Sequence, residues 1–263
     1  MDAGLANPTA EDRVLVTTCT FDAHGGFGAI EMFGPVIDLL AAGHQVIGVD
    51  LQGHGRTLPF DRPMALEAMG DDIAALIRHL GYQKADIIGY STGGGVALRA
   101  GIQRPEVVDR MVLVSTPYSF SGWHDFNQQG MKQIAAAPEQ VAEGMRQTPM
   151  YQMYAAIAPD ANNWGKLVSQ MGAMVDADYD WSAEVAALQV PTMLVVGDWD
   201  SVRASHAVQF FELLGGGRQD ANWDGSGTNF NRFAILPGLT HYTIFRNPKL
   251  AEAAIGFLDA PAN

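Results

Sequence analysis

The stretch that decides the fold runs from residue 85 to residue 100 and reads ADIIGYSTGGGVALRA. It opens with a short apolar run, Ala85–Gly89, of the kind found in buried parallel strands. A helix is predicted over Gly94–Gln103. Between the two, Gly89-Tyr90-Ser91-Thr92-Gly93 matches the pattern G-x-S-x-G, in which a serine occupies a sharp turn from strand to helix. The stretch therefore predicts a nucleophilic Ser91 whose hydroxyl is raised above a sheet.

The same alternation of apolar and amphipathic runs extends along most of the chain. Short strand-like runs are predicted at Arg13–Thr20, Gln45–Val49, Ala85–Gly89, Met111–Ser115, Thr192–Val196 and Phe233–Leu236. Helices are predicted at Ile30–Ala42, Ala65–Leu80, Gly94–Gln103, Val202–Leu214 and Thr243–Leu258. Strands that alternate with helices indicate an α/β fold with a mostly parallel sheet and helices on both faces.

One long stretch, Tyr118–Gln189, interrupts this alternation. It contains no convincing strand and is rich in Met, Gln, Ala and aromatic residues. We therefore expect a helical insertion that lies over one end of the sheet.

Composition and charge exclude several classes of protein. The 263 residues are 48% hydrophobic, which is enough for a sizeable core, and the single cysteine excludes a disulfide scaffold. A formal net charge of -13 argues against binding to nucleic acid or to anionic lipid. The apolar runs are far shorter than the roughly 20 residues that cross a bilayer, and the first residues do not resemble a secretory signal. We expect a cytoplasmic protein whose partner is a small molecule.

A serine hydroxyl needs a base and an orienting carboxylate before it can act as a nucleophile. His241 follows a predicted strand and a Pro-Gly turn, which places it at the carboxyl edge of the sheet where catalytic groups gather. It is the predicted general base. Asp198 and Asp200 both follow the strand before it, and both are candidates for the acid. The amide of Thr92, at the start of the helix, is predicted to donate to an oxyanion.

Several ordered motifs together resemble the α/β-hydrolase superfamily, in its capped, esterase-like branch. The resemblance covers roughly residues 24–116 and 190–260. The motifs are His24-Gly25-Gly26-Phe27-Gly28, Asp50-Leu51-Gln52-Gly53-His54-Gly55-Arg56-Thr57, Gly89–Gly93, Gly197-Asp198-Trp199-Asp200 and His241. The resemblance implies an α/β-hydrolase core at 1–117 and 191–263, with a helical cap at 118–190.

The resemblance also assigns roles to particular residues. It implies that Asp200, three residues after a glycine, is the acid, with Asp198 as the alternative. It implies a second oxyanion amide at Gly26, with Phe27 beside it. Because only 23 residues precede the His-Gly pair, we expect one or both early strands of the family to be missing or rearranged.

Three aromatic residues are predicted to contact the substrate: Tyr90 beside the nucleophile, Trp123 in the cap and Trp199 in the acid loop. No metal or organic cofactor is predicted, since the chain has no cluster of His and Cys at ligand spacing. The oligomeric state is not predicted.

The predicted function is hydrolysis of a carboxylic ester by a Ser-His-Asp triad through an acyl-enzyme. Residues Ser91–Gly95 are also similar to the serine loop of cofactor-free haloperoxidases, in which peroxide intercepts the acyl-enzyme. Lactonases and carbon–carbon bond hydrolases use the same triad and stay open as alternatives. A non-catalytic binding protein with this fold is the alternative from another class, and the complete Ser-Asp-His set argues against it.

Overall fold

A computed structural model describes residues 14–19 and 27–261 of the chain. Six strands form one sheet in the order β2-β1-β3-β4-β5-β6, and every neighbouring pair is parallel. The strands are β1 Val14–Cys19, β2 Gln45–Asp50, β3 Ala85–Tyr90, β4 Val108–Val114, β5 Thr192–Trp199 and β6 Arg232–Thr240. The predicted α/β fold class is confirmed.

Ten α-helices occur within the described residues. They are α1 Pro35–Ala41, α2 Leu66–His79, α3 Thr92–Gln103, α4 Asp125–Ala136, α5 Pro138–Gly144, α6 Pro149–Ile157, α7 Trp164–Val175, α8 Ser182–Ala186, α9 Ala204–Leu213 and α10 Pro248–Leu258. Short 3-10 turns at 30–33 and 244–246 precede α1 and α10.

Helices cover both faces of the sheet, because successive residues of a strand point to opposite sides. Ile87 belongs to a buried cluster that includes Ile73 of α2 and Val96 of α3. The next residue, Ile88, belongs to a second cluster with residues of α1 and α10, such as Leu40. Strand β3 is therefore buried on both faces, as its apolar sequence predicts.

Several boundaries differ from those expected: β6 extends to Thr240, and the helix predicted over Thr243–Leu258 is a 3-10 turn followed by α10. The helix predicted over Ile30–Ala42 is a 3-10 turn followed by α1, because Gly34 between them adopts a φ of 46°. Strand β4 begins at Val108 and not at Met111. The charged residues at its start are accommodated because the buried Arg110 guanidinium donates to backbone carbonyl oxygens at the end of α10.

Residues 118–189, all of them described, carry α4 to α8 between β4 and β5 and contain no strand beyond single antiparallel bridges. The buried Trp164 organises this segment. Its indole N–H donates to the carbonyl of Ala142 at 2.9 Å, and its ring packs against Tyr151 and Tyr154. The helical character of the segment agrees with the sequence, whereas its treatment as a separate cap domain stays a prediction.

His206 of α9 anchors the start of this helical segment to the core. Its Nε2 accepts a hydrogen bond from the Tyr118 amide at 3.2 Å, and the two rings stack with centroids 4.0 Å apart. Burial lowers the pKa of His206 to about 4, so the ring is neutral at pH 7 and can accept this bond.

Because all six strands are parallel, their carboxyl ends lie along one edge of the sheet. A polar side chain follows each of four neighbouring strands at that edge. These residues are Ser91 after β3, Ser115 after β4, Asp200 after β5 and His241 after β6.

Candidate active site

The predicted nucleophile occupies a strained turn between β3 and α3. Ser91 has a φ of 54° and a ψ of -121°, in a region that residues with a side chain rarely adopt. The neighbouring glycines make the turn possible. A Cβ on Gly89 would lie 2.3 Å from the carbonyl oxygen of Gly93, and one on Gly94 would lie 1.8 Å from Oγ1 of Thr116. The G-x-S-x-G pattern therefore reflects a close approach of strand and helix backbones.

His241 lies within hydrogen-bond distance of both other members of the predicted triad. Its Nε2 is 3.1 Å from Oγ of Ser91, and its Nδ1 is 2.9 Å from Oδ1 of Asp200. The ring is buried between Tyr90 and Trp123, whose centroids lie 5.2 and 5.6 Å away. The Tyr90 hydroxyl also donates to the His241 carbonyl oxygen at 2.6 Å, which anchors the loop after β6.

The two candidate acids occupy different environments. Asp200 is buried, and its carboxylate accepts hydrogen bonds on both oxygens. Besides His241, its donors are the amide of Val202 to Oδ1 at 3.1 Å, and the hydroxyl of Ser115 and the amide of Gly197 to Oδ2 at 2.5 and 3.0 Å. Asp198 is exposed and accepts from the amide of Gly238 at 2.8 Å. The structure thus brings Asp200, and not Asp198, to the histidine.

The negative charge on Asp200 is stabilised by the groups around it. Burial by itself raises the pKa of this carboxyl, but the charge of His241 and the hydrogen bonds from His241, Ser115 and the Gly197 amide outweigh it. The pKa of Asp200 is therefore lowered, and the group is ionised at neutral pH. A buried carboxylate beside Nδ1 favours the histidine tautomer whose Nε2 can accept a proton from Ser91.

A sequence model of the α/β hydrolase fold matches residues 23–251. The chain belongs to the α/β-hydrolase fold family.

Individual relatives are distant from this α/β hydrolase. A putative esterase/lipase of Haemophilus influenzae is 29% identical over 101 residues, which is 38% of this chain and 35% of that protein. The sn-1-specific diacylglycerol lipase of Mus musculus is 34% identical over 93 residues, 35% of this chain and 30% of that protein. The chain thus matches about a third of the length of these curated relatives. A hydrolase from Pseudomonas aeruginosa PA01 superposes with a TM-score of 0.68 at 23% identity and covers 96% of this chain and 92% of that one.

A small pocket of about 40 Å³ opens beside Ser91. None of the described residues that line it carries a charge. They are Leu66, Ser91, Thr92, Gly95, Thr116, Pro117, Phe120, Trp123, Met131, Met174, Val175 and Tyr179. The helical segment between β4 and β5 thus supplies most of the apolar wall, and the serine turn supplies the polar floor.

The three aromatic residues predicted to contact substrate have different positions. Trp123 lines the pocket. Tyr90 is fully buried and lies behind His241, where its contacts hold the histidine loop. Trp199 is the last residue of β5, and the residue is 77% exposed. Neither Tyr90 nor Trp199 is among the described residues of the pocket wall.

The predicted oxyanion donors are described in part. Thr92 lines the pocket and is the first residue of α3, where a helix supplies no backbone acceptor for the amide. Phe27 is buried and packs on Trp164 with ring centroids 5.3 Å apart. Gly26 lies outside the described residues.

Several residues of the site were not anticipated from the sequence. Ser115 touches the acid, and Met131, Met174 and Tyr179 line the pocket. Ser115 could have been found, because it follows a strand at the same edge as Ser91. Met131 and Met174 lie on α4 and α7 and Tyr179 lies in the loop after α7, and no local pattern reveals how this segment packs over the sheet.

Among residues 14–19 and 27–261, no group of three or more His, Cys, Asp or Glu side chains is arranged to hold a metal ion. In the same part of the chain, no helix combines the length and the apolar character needed to cross a membrane.

Proposed function

We propose that this α/β hydrolase is a serine hydrolase that cleaves carboxylic esters with small, uncharged acyl groups. The observation that carries the proposal is the position of His241, with Ser91 at one ring nitrogen and Asp200 at the other. Three groups in this order form the arrangement that activates a serine hydroxyl for acyl transfer.

Each step of the reaction follows from these contacts. Oγ of Ser91 bonds to the ester carbonyl carbon while its proton passes to Nε2 of His241, and Asp200 stabilises the imidazolium. The Thr92 amide donates to the oxyanion. Collapse of the tetrahedral intermediate expels the alcohol, which takes the proton from Nε2. Water then loses a proton to the same nitrogen and adds to the acyl carbon; collapse of this second intermediate breaks the bond to Oγ of Ser91, which takes the proton back from Nε2, and the acid is released.

The proposed substrate class follows from the pocket. Its apolar lining and small volume favour a short acyl chain, and a charged acyl group would lose its hydration there without gaining a partner of opposite charge. The names of the esterase/lipase and the diacylglycerol lipase among the relatives support the ester reaction class.

The direct test is hydrolysis of p-nitrophenyl esters of increasing acyl length, together with labelling by a fluorophosphonate probe. We expect turnover with the shortest acyl chains and labelling at Ser91. Ser91→Ala should abolish both, whereas Ser205→Ala, at an exposed serine of α9, should change neither. Folded protein that neither hydrolyses these esters nor reacts with the probe would contradict the proposal.

A second test addresses the acyl pocket. Met174→Ala removes an unbranched side chain from the wall and enlarges the space beside Ser91. We expect the preferred acyl chain to become longer by one or more methylene groups. An unchanged chain-length profile in this variant would place the acyl group elsewhere.

A further inference from the structure

We propose that Ser115 is a positioning residue, whose hydroxyl holds the Asp200 carboxylate in the orientation that presents one oxygen to His241. The inference rests on the proposed function, because it concerns the acid of the same triad. It assigns a role to a residue that no sequence motif marks.

The backbone of Ser115 is firmly placed. The residue directly follows β4, is completely buried, and donates its amide to the carbonyl of Val195 in β5 at 2.8 Å. From there its hydroxyl donates to Oδ2 of Asp200 at 2.5 Å. The hydrogen bond joins the ends of two neighbouring strands beneath the histidine loop.

The backbone conformation of Ser115 indicates that its hydroxyl has a role. Its φ is 53°, in the left-handed region that a residue with a Cβ adopts only with strain. Glycine would adopt the same conformation without that strain. A side chain at this position therefore costs backbone strain, and what it contributes in return is the hydrogen bond from its hydroxyl to Asp200.

The carboxylate of Asp200 receives two hydrogen bonds on each oxygen. Oδ1 faces His241 and the amide of Val202, while Oδ2 faces Ser115 and the amide of Gly197. Without the hydroxyl, Oδ2 keeps one described donor, so the carboxylate gains rotational freedom and its charge is less well stabilised. Both effects weaken the support of His241 when it carries the proton.

The distribution of charge agrees with this role. Burial acts to raise the pKa of Asp200, and the Ser115 hydroxyl is one of the donors that keep this pKa lowered. Loss of the hydroxyl should make the carboxyl easier to protonate.

The test compares Ser115→Ala, Ser115→Gly and Ser115→Cys. Alanine removes the hydroxyl and keeps the backbone strain, whereas glycine removes the hydroxyl and the strain together. Cysteine keeps a side chain of similar shape whose thiol is a weaker hydrogen-bond donor. We expect kcat to fall about tenfold or more in the alanine and glycine variants and less in the cysteine variant, because hydrogen bonds to charged groups are among the stronger ones. KM should change little, since Ser115 does not line the pocket.

The glycine variant separates positioning from a purely conformational role. If the residue served only the backbone, Ser115→Gly would keep the wild-type kcat and pH profile. We expect it to fold at least as stably as Ser115→Ala and yet to be equally impaired. The control is Thr192→Val, which removes a buried hydroxyl bonded to the carbonyl of Val190 at the opposite edge of the sheet.

A measurement without turnover completes the test. The proton between Nδ1 of His241 and Asp200 should give a low-field proton NMR signal, which we expect to shift or broaden in Ser115→Gly and to be unchanged in Thr192→Val. An unmoved signal, or a glycine variant whose kcat stays within about twofold of wild type, would overturn the positioning role. Failure of the proposed function would show differently, as wild-type protein without Ser91-dependent turnover.

Discussion

Replacement of Asp200 by asparagine is the sharpest test of how the site is built. The carboxylate accepts four hydrogen bonds, and each of its oxygens faces one backbone amide, that of Val202 or that of Gly197. Asparagine has one side-chain oxygen and one NH₂ group, so it keeps an acceptor at only one of these two positions. Whichever way it turns, its NH₂ faces a backbone donor, and that donor loses its partner.

The expected magnitudes follow from this count. One buried backbone donor without an acceptor costs about 1–3 kcal/mol of the free energy of unfolding. The catalytic loss is larger, because the negative charge beside His241 disappears and one of the two amide orientations also favours the wrong histidine tautomer. The corresponding change in a serine protease lowers kcat about 10⁴-fold, and we expect a loss of about 10³- to 10⁴-fold in kcat/KM here, or roughly 4–5.5 kcal/mol.

The assay is hydrolysis of p-nitrophenyl acetate at constant pH, with urea unfolding followed by circular dichroism on the same preparations. Asp198→Asn is the matched control, since this exposed side chain accepts one hydrogen bond from Gly238 and does not touch the histidine. We expect kcat/KM of the control to stay within about twofold of wild type. If Asp198→Asn were as impaired as Asp200→Asn, or if Asp200→Asn kept more than a tenth of the activity, the assignment of the acid would be wrong.

Two further predictions concern stability. Gly89→Ala should lower the free energy of unfolding by about 3 kcal/mol or more, because its Cβ would lie 2.3 Å from the backbone oxygen of Gly93. The control Gly256→Ala, with open space at its Cβ in α10, should leave the free energy of unfolding unchanged or raise it. Equal urea midpoints for the two variants would contradict the close approach of Gly89 and Gly93. His206 has a folded pKa of about 4, below the roughly 6.5 of an unfolded histidine, so the unfolded chain binds the proton first and the free energy of unfolding falls by up to about 3 kcal/mol between pH 6.5 and 4. His206→Gln should flatten this part of the stability–pH curve in urea titrations, and an unaltered curve in this variant would refute the assignment.

Much of the fold could be predicted because strands and helices leave local patterns. The apolar runs predict all six strands, and amphipathic spacing predicts α2 almost to its ends. Errors occurred where a tertiary contact overrides the local pattern. The strand predicted at Met111–Ser115 leaves out Arg110, but this residue lies inside β4 because carbonyl oxygens at the end of α10 accept its hydrogen bonds.

The candidate site likewise contains residues that local sequence predicts and residues that only tertiary contacts place. The five residues Gly89–Gly93 suffice to predict Ser91 as the nucleophile, because a Cβ on Gly89 would collide with the Gly93 backbone within the same turn. Tyr90 was expected to contact substrate because it precedes the nucleophile, yet alternation along β3 turns its ring toward the core and behind His241. Neighbours in sequence at a strand end point in opposite directions, and this decides which of them reaches the pocket.

Local sequence is thus sufficient for the serine turn and for the family, because backbone strain and side-chain periodicity act over a few residues. Residue patterns leave both Asp198 and Asp200 open, and the tertiary structure brings Asp200, and not Asp198, to the histidine. Ser91 and His241 are 150 positions apart, and Asp200 is 41 positions from the histidine. Their distances depend on which strands lie side by side and where each strand ends. Ser115 belongs to the site for the same reason: β4 lies between β3 and β5, and its carboxyl end lies at the same edge of the sheet as the acid.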